Sequence, residues 1–207
     1  MRKQYCYDNS RYSQELSKRI FLDNLTSCTK FPKYFSIGTT DFCNAKCKMC
    51  PHSKETKQGH IMDESLFNKI VRQLKSYNEW IESVAIYWYG EPLLDYRISD
   101  RIKKLKEIGI KNIQISTNGA NLNVKNAQCL FEAGLNDLRF SIDAIKKETY
   151  EKIRKGLDYD QVVRNVLDVI KYRNQNYPQV SIRIRLTQME DNLNEVDDFA
   201  NYWGGVI

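Results

Sequence analysis

This chain has no run of about 18 apolar residues, the length a helix needs to cross a membrane. Its first residues, Met1-Arg2-Lys3-Gln4-Tyr5-Cys6, lack the apolar core of a secretory signal, so the expected compartment is the cytoplasm. RNA-recognition and helix-turn-helix signatures are missing, and the formal charge of +6 is spread along the chain. Nucleic acid is therefore not an expected partner. Nor does the composition read as disordered. Of 207 residues, 42% are hydrophobic and 13 are tyrosine, which suits one domain with a good core.

Cysteine is present and unevenly placed. Three of the six fall within Cys43-Asn44-Ala45-Lys46-Cys47-Lys48-Met49-Cys50, followed by Pro51-His52. In a reducing compartment, clustered cysteines bind metal more often than they pair as disulfides. Three thiolates this close can face one centre if the loop wraps around it. That suits an iron–sulfur cluster, or a zinc ion completed by a fourth ligand such as His52, His60 or Cys28. Cys6, Cys28 and Cys129 are scattered and read as free thiols, Cys129 on a helix face.

Residues 1–30 read as a polar, tyrosine-rich N-terminal extension, with Ser13 to Leu25 patterned as a short amphipathic helix. Residues 31–207 read as the core domain, in which strands alternate with helices. The expected strands are Tyr34 to Thr40, Ser83 to Tyr89, Asn112 to Thr117, Asp137 to Asp143 and Val180 to Thr187. The expected helices run from the N-cap Asp63 to Asn78, Tyr96 to Ile108, Val124 to Ala133, Lys146 to Arg154 and Asp158 to about Asn174. Capping-box patterns are read at Asp158 with Gln161 and at Asn192 with Glu195, the latter opening a last helix to Trp203. This order predicts a parallel sheet with right-handed crossovers. No Gly-x-Gly-x-x-Gly follows the first strand, so a dinucleotide fold lacks its phosphate turn.

Side-chain alternation narrows the architecture. Val180, Ile182, Ile184 and Leu186 oppose Ser181, Arg183, Arg185 and Thr187; Leu138, Phe140 and Ile142 oppose Arg139, Ser141 and Asp143. A parallel sheet covered on both sides should be apolar on both. One apolar and one polar face suits an α/β partial (β/α)6 TIM-like barrel, with helices outside and a polar interior. Arg183 and Arg185 also fit an exposed edge strand. The chain stops at Val206-Ile207, where a sixth strand would begin, so a core lacking its last strand is expected.

Four stretches together carry a resemblance. Cys-x3-Cys-x2-Cys follows the first strand. Tyr89-Gly90-Glu91-Pro92 ends the second, Thr117-Asn118-Gly119 the third, and Ser141-Ile142-Asp143 lies on the fourth. They resemble the radical S-adenosylmethionine (SAM) superfamily, in its branch with SPASM or twitch C-terminal domains; Tyr89 stands where the commoner form has glycine. The resemblance covers about Tyr34 to Leu186. It implies a [4Fe–4S] cluster on Cys43, Cys47 and Cys50, with SAM bound to the open iron. SAM contacts are then expected at Gly90, Glu91, Thr117, Asn118, Ser141 and Arg154. The implied reaction is reductive cleavage of SAM to a 5′-deoxyadenosyl radical that takes a hydrogen from an unidentified substrate. That substrate is a peptide or protein, or a sugar or other small molecule, with a flavodoxin or ferredoxin as reductant. The competing reading is a non-catalytic zinc- or cluster-binding remnant that serves as an interaction module.

Overall fold

The computed structural model of the protein describes residues 31–54 and 59–207. The helix expected within residues 13–25, and Cys6 and Cys28, lie outside the described residues. The strands are β1 (Tyr34–Ser36), β2 (Lys46–Cys47), β3 (Ser83–Ala85), β4 (Ile113–Thr117), β5 (Asp137–Ser141), β6 (Arg154–Lys155) and β7 (Ser181–Arg185). The helices are α1 (Glu64–Lys75), α2 (Ile98–Glu107), α3 (Val124–Glu132), α4 (Lys147–Ile153), α5 (Tyr159–Asn176) and α6 (Val196–Gly204).

Five strands form one parallel sheet in the order β1-β3-β4-β5-β7. Each long strand lies beside its predecessor, with no reversal. Right-handed crossovers that never reverse direction put every helix on the same face, which is why the strands alternate. Val84, Ile86, Ile113, Ile115, Leu138, Phe140 and Ile182 are buried on the helix-covered face. Against them pack Phe67, Leu74, Ile102, Leu105, Leu130, Val162, Val166 and Val169 from the helices. The opposite face carries Gln114, Ser116, Arg139, Ser141, Arg183 and Arg185. Among the described residues this sheet is open rather than closed, with β1 and β7 at its two edges, as in a partial barrel. Arg183 and Arg185 sit on that edge and are exposed, with Arg183 reaching Asp137 at 3.6 Å. Among the described residues, no helix is long and apolar enough to cross a membrane.

Several boundaries differ from the sequence reading. The strands are shorter, although single ladder bonds continue past their ends: the Ile37 N–H donates to the Ala85 carbonyl at 2.8 Å, and the Ile86 and Ile142 N–H groups to the Gln114 and Arg185 carbonyls at 2.9 Å. Thr40 keeps one isolated bridge, to Ile61. Asp63 occupies the N-cap of α1 but its side chain makes no capping bond, and Leu66 is 48% exposed. The helix expected from Tyr96 begins at Ile98, after a separate 3-10 turn at Pro92–Leu94. Asp158 caps α5 through the Gln161 N–H at 2.7 Å, while the Gln161 amide turns instead to the Ala120 carbonyl. Asn192 opens no α-helix. It lies in a 3-10 stretch, Glu190–Glu195, and α6 starts after it. Asn192 instead closes the start of that 3-10 stretch, its Oδ1 accepting the Met189 N–H at 2.7 Å, and its amide nitrogen and the Glu195 carboxylate serve other segments. Asn192 Nδ2 donates to the Asp143 and Thr187 carbonyls, at 2.7 and 2.9 Å. Glu195 accepts from the Ile145 and Lys146 N–H groups and the Thr149 hydroxyl, capping the start of α4.

Candidate cofactor site

The cysteine loop leaves β1 and is pinned on three sides. Lys46 and Cys47 pair antiparallel with Lys155 and Arg154, as the two-residue ladder of β2 and β6. The Lys48 N–H continues this to the Ile153 carbonyl at 2.8 Å. On a second side, the Glu91 N–H donates to the Phe42 carbonyl at 2.7 Å. Here the turn after β3 presses so closely on the loop that a Cβ at Gly90 would stand 2.5 Å from the Phe42 oxygen and 2.6 Å from the Thr40 oxygen. Glycine is required there by backbone approach. On the third side, Asp191 takes the ammonium groups of Lys48 and, at 2.7 Å, Lys152.

Cys43, Cys47 and Cys50 are free thiols, and all three line one cavity of about 320 Å³. Glu91, Thr117, Asn118, Ser141 and Arg154 line the same cavity. Of the sequence-predicted site residues, Gly90 alone is off the lining, beneath Glu91 in the turn. The cavity lies at the carboxyl ends of the strands, where parallel α/β folds bind ligands. Ala45, Met49, Tyr87, Trp88 and Ser116 complete its wall; sequence reading assigned no role to Tyr87, Trp88 or Ser116. Burial pushes the Cys43 and Cys47 thiols up from their ordinary range. Arg154 opposes the rise at Cys47, as the backbone of Ala45 does at Cys43.

Three free thiols on one cavity wall suit a cluster that takes one protein sulfur on each of three metal atoms. A tetrahedral zinc draws its sulfurs to about 2.3 Å, whereas cysteines on a multi-iron cluster stand on separate metal atoms around it. Neither histidine supplies a fourth ligand. His52 Nε2 bonds the Asp41 carbonyl at 2.6 Å, and His60 is exposed beside Asp41.

Glu91 organises one side of the cavity. It is 3% exposed. Its Oε1 accepts the Thr117 hydroxyl at 2.6 Å and the Leu93 N–H at 3.2 Å, and its Oε2 accepts the Asn118 N–H at 2.8 Å. Burial raises its pKa, against the pull of these donors. Asn118 carries the connection on, donating from Nδ2 to Asn44 Oδ1 within the cysteine loop at 2.7 Å. Gly119 follows at φ 78°, the left-handed turn that returns the chain under Phe140. The Thr117 hydroxyl is thus committed inside the protein, since it also accepts the Gly119 N–H at 3.1 Å. Ser141 and Ser116 face each other across the cavity floor, their hydroxyls 3.4 Å apart.

Arg154 organises the other side. It is not the solvated helix-end arginine that a helix from Lys146 to Arg154 would give. The helix stops at Ile153, and Arg154 is 8% exposed. Its Nε and Nη2 both reach Asp143 Oδ2 at 2.7 Å, and its Nη1 stands 3.7 Å from Cys47 Sγ. Burial works against its charge, but Asp143 and then Cys47 outweigh this and hold the guanidinium above its ordinary pKa. Cys129 is exposed on α3 and lines a different cavity.

Known proteins share this architecture. The chain is 33% identical over 172 residues to the GTP 3′,8-cyclase of Limosilactobacillus fermentum, covering 82% of this chain and 50% of that one. It is 31% identical over 180 residues to the GTP 3′,8-cyclase of Alkaliphilus metalliredigens, covering 81% and 51%. The chain therefore spans about half the length of these curated relatives. Among solved structures, anSMEcpe with bound AdoMet superposes with a TM-score of 0.65 at 24% identity, covering 83% of this chain and 48% of that one. BtrN in complex with AdoMet and 2-DOIA gives 0.59 at 23%, covering 75% and 58%. SuiB of Streptococcus suis, bound to the precursor peptide SuiA, gives 0.63 at 18%, covering 94% and 42%. At these identities the structures speak for the fold. The radical SAM superfamily matches residues 37–201. Because that match runs through every segment that lines the cavity, the chain belongs to the radical SAM superfamily, whose enzymes use a [4Fe–4S] cluster and SAM.

Proposed function

We propose that Cys43, Cys47 and Cys50 hold a [4Fe–4S] cluster, and that SAM binds in the same cavity to start a radical reaction. The observation that carries this is the meeting, in one cavity, of three free thiols from one loop with polar groups from the ends of three other strands. When bound, the cluster supplies the electron that splits SAM into methionine and a 5′-deoxyadenosyl radical able to take hydrogen from an unreactive carbon. The protein's part is to bind, orient and exclude water. Gly90 lets the turn after β3 lie against the cysteine loop, and Glu91 fixes the adjoining strand ends, so the main chain of Gly90 and Glu91 faces the SAM methionine. Ser141, with Ser116 beside it, offers hydroxyls for the SAM ribose or carboxylate. Thr117 and Asn118 act mainly by holding Glu91 and Asn44. Met49 and Trp88 close the apolar part of the wall.

In this reading residues 31–207 are the core domain and residues 1–30 an extension of it, with a flavodoxin or ferredoxin as electron donor. The substrate is a small molecule or a peptide. GTP is the first small molecule to test, because the curated relatives are named for it.

The test is anaerobic iron–sulfur reconstitution, then reduction with SAM and assay for 5′-deoxyadenosine. About four irons per chain are expected, with deoxyadenosine formed. Cys47→Ala should lose the cluster and the cleavage. Zinc uptake without a cluster would overturn the proposal.

A further inference from the structure

We infer that Arg154 acts through Cys47, donating a hydrogen bond to its sulfur and making the cluster easier to reduce, rather than gripping SAM. This rests on the cluster assignment above. The guanidinium is planar and its donors form a fixed fork. Two of its three nitrogens lie on the same oxygen, Asp143 Oδ2, at 2.7 Å. That fixes the plane and leaves Nη1 aimed at Cys47 Sγ, 3.7 Å away.

The aim is held from both ends. Arg154 and Cys47 are register partners in the ladder of β2 and β6, so the main chain fixes their separation. Asp143 is itself immobilised. Its Oδ1 accepts the Thr187 N–H at 2.7 Å, and its carbonyl accepts Asn192 Nδ2 at 2.7 Å. Swinging Arg154 toward a ligand would break two charge-assisted bonds to a buried carboxylate. A structural salt bridge alone needs Asp143 and Arg154; it does not need the third nitrogen turned to a thiol that lines the cavity.

Adding an electron to a thiolate-bound cluster adds negative charge. A fixed cation donating to one of its sulfurs stabilises the reduced state more than the oxidised one, and hydrogen bonds to sulfur are among the controls of cluster potential. Arg154 is thus a positioning residue whose effect is read at the cluster.

The experiment is an EPR-monitored redox titration of reconstituted wild type, Arg154→Lys and Arg154→Gln without SAM, alongside SAM affinity measured by equilibrium binding. Lysine keeps the charge on Asp143 but cannot span both partners. The midpoint potential should fall from wild type to Arg154→Lys and further to Arg154→Gln, with SAM affinity changed less than about twofold in Arg154→Lys, a shift of under about 0.4 kcal/mol. An unshifted potential with weakened SAM binding would overturn the inference and return Arg154 to the SAM carboxylate. The second measurement needs no variant: in wild type carrying 15N-arginine, pulsed EPR of the reduced cluster should reveal a coupled arginine nitrogen, and its absence overturns the inference. A wild type that takes up no iron sinks the cluster assignment itself, and this inference with it; iron uptake with an unshifted potential sinks this inference alone.

Discussion

Glu91 and Asp143 are both carboxylates buried beside the same cavity, 3% and 1% exposed, yet burial is offset in opposite ways. Asp143 receives two nitrogens of one guanidinium, and the pair is close to neutral. Glu91 receives a hydroxyl and two main-chain N–H groups, with no cation in contact among the described residues. Neutral donors satisfy the lone pairs but leave the charge itself uncompensated, and its pKa rises accordingly. Asp143 therefore aims another side chain, while Glu91 gathers main-chain segments whose grip depends on its own ionisation.

Breaking the charged side should cost most. Asp143→Ala would leave the Arg154 guanidinium buried without its partner, a loss of about 3–5 kcal/mol in urea unfolding of iron-free protein. A loss under about 1 kcal/mol would mean that the guanidinium finds water, and the contrast with Glu91 would fail. Glu91→Gln should cost less, about 1–3 kcal/mol, because the amide keeps one acceptor and turns a donor toward one already there. The same unfolding measurement ranks the two.

The contrast sharpens with pH. With the folded pKa of Glu91 above its ordinary value of 4.5, the folded state binds more protons than the unfolded one between those two values. Stability from this group is then fully present below about pH 4.5 and declines as pH rises through the folded pKa. Glu91→Gln lacks that decline, so its deficit against wild type should shrink as pH rises across the window. A deficit that grows with pH in an unfolding series would mean that the hydrogen bonds outweigh burial. The smallest effect belongs to a residue outside both networks. Cys129→Ser, on the exposed face of α3, should change stability by no more than about 0.5 kcal/mol and leave iron content as it was.

Much of this was legible in the sequence because it is local. The cysteine spacing, the Gly90-Glu91-Pro92 turn and the alternation of Leu138, Arg139, Phe140 and Ser141 are patterns within a few residues. Alternation also revealed the one-sided sheet, since crossover direction is written into every strand that packs helices on one face. What escaped depends on separation. The pairing of Cys47 with Arg154 spans 107 residues, and nothing near Ile153 marks two residues of strand after a helix. Asn192 and Glu195 fit a capping pattern, and only the packed chain shows that both serve partners on other segments. Thr117 matched a motif, yet its hydroxyl is engaged by Glu91 and Gly119. A short polar residue at a strand end looks the same in sequence whether it faces a ligand or a carboxylate.

The ladder of β2 and β6 has a consequence in time. In a chain made from its N-terminus, the three cysteines emerge first, but the segment that pins Cys47 follows 107 residues later, and Asp191, which takes Lys48, 143 residues later. Contacts this distant in sequence form late, because the intervening chain must be ordered first. The cysteine loop is therefore the earliest part of the site to be made and the last to be closed. On the cluster assignment proposed above, that interval leaves its thiols open to whatever delivers iron and sulfur.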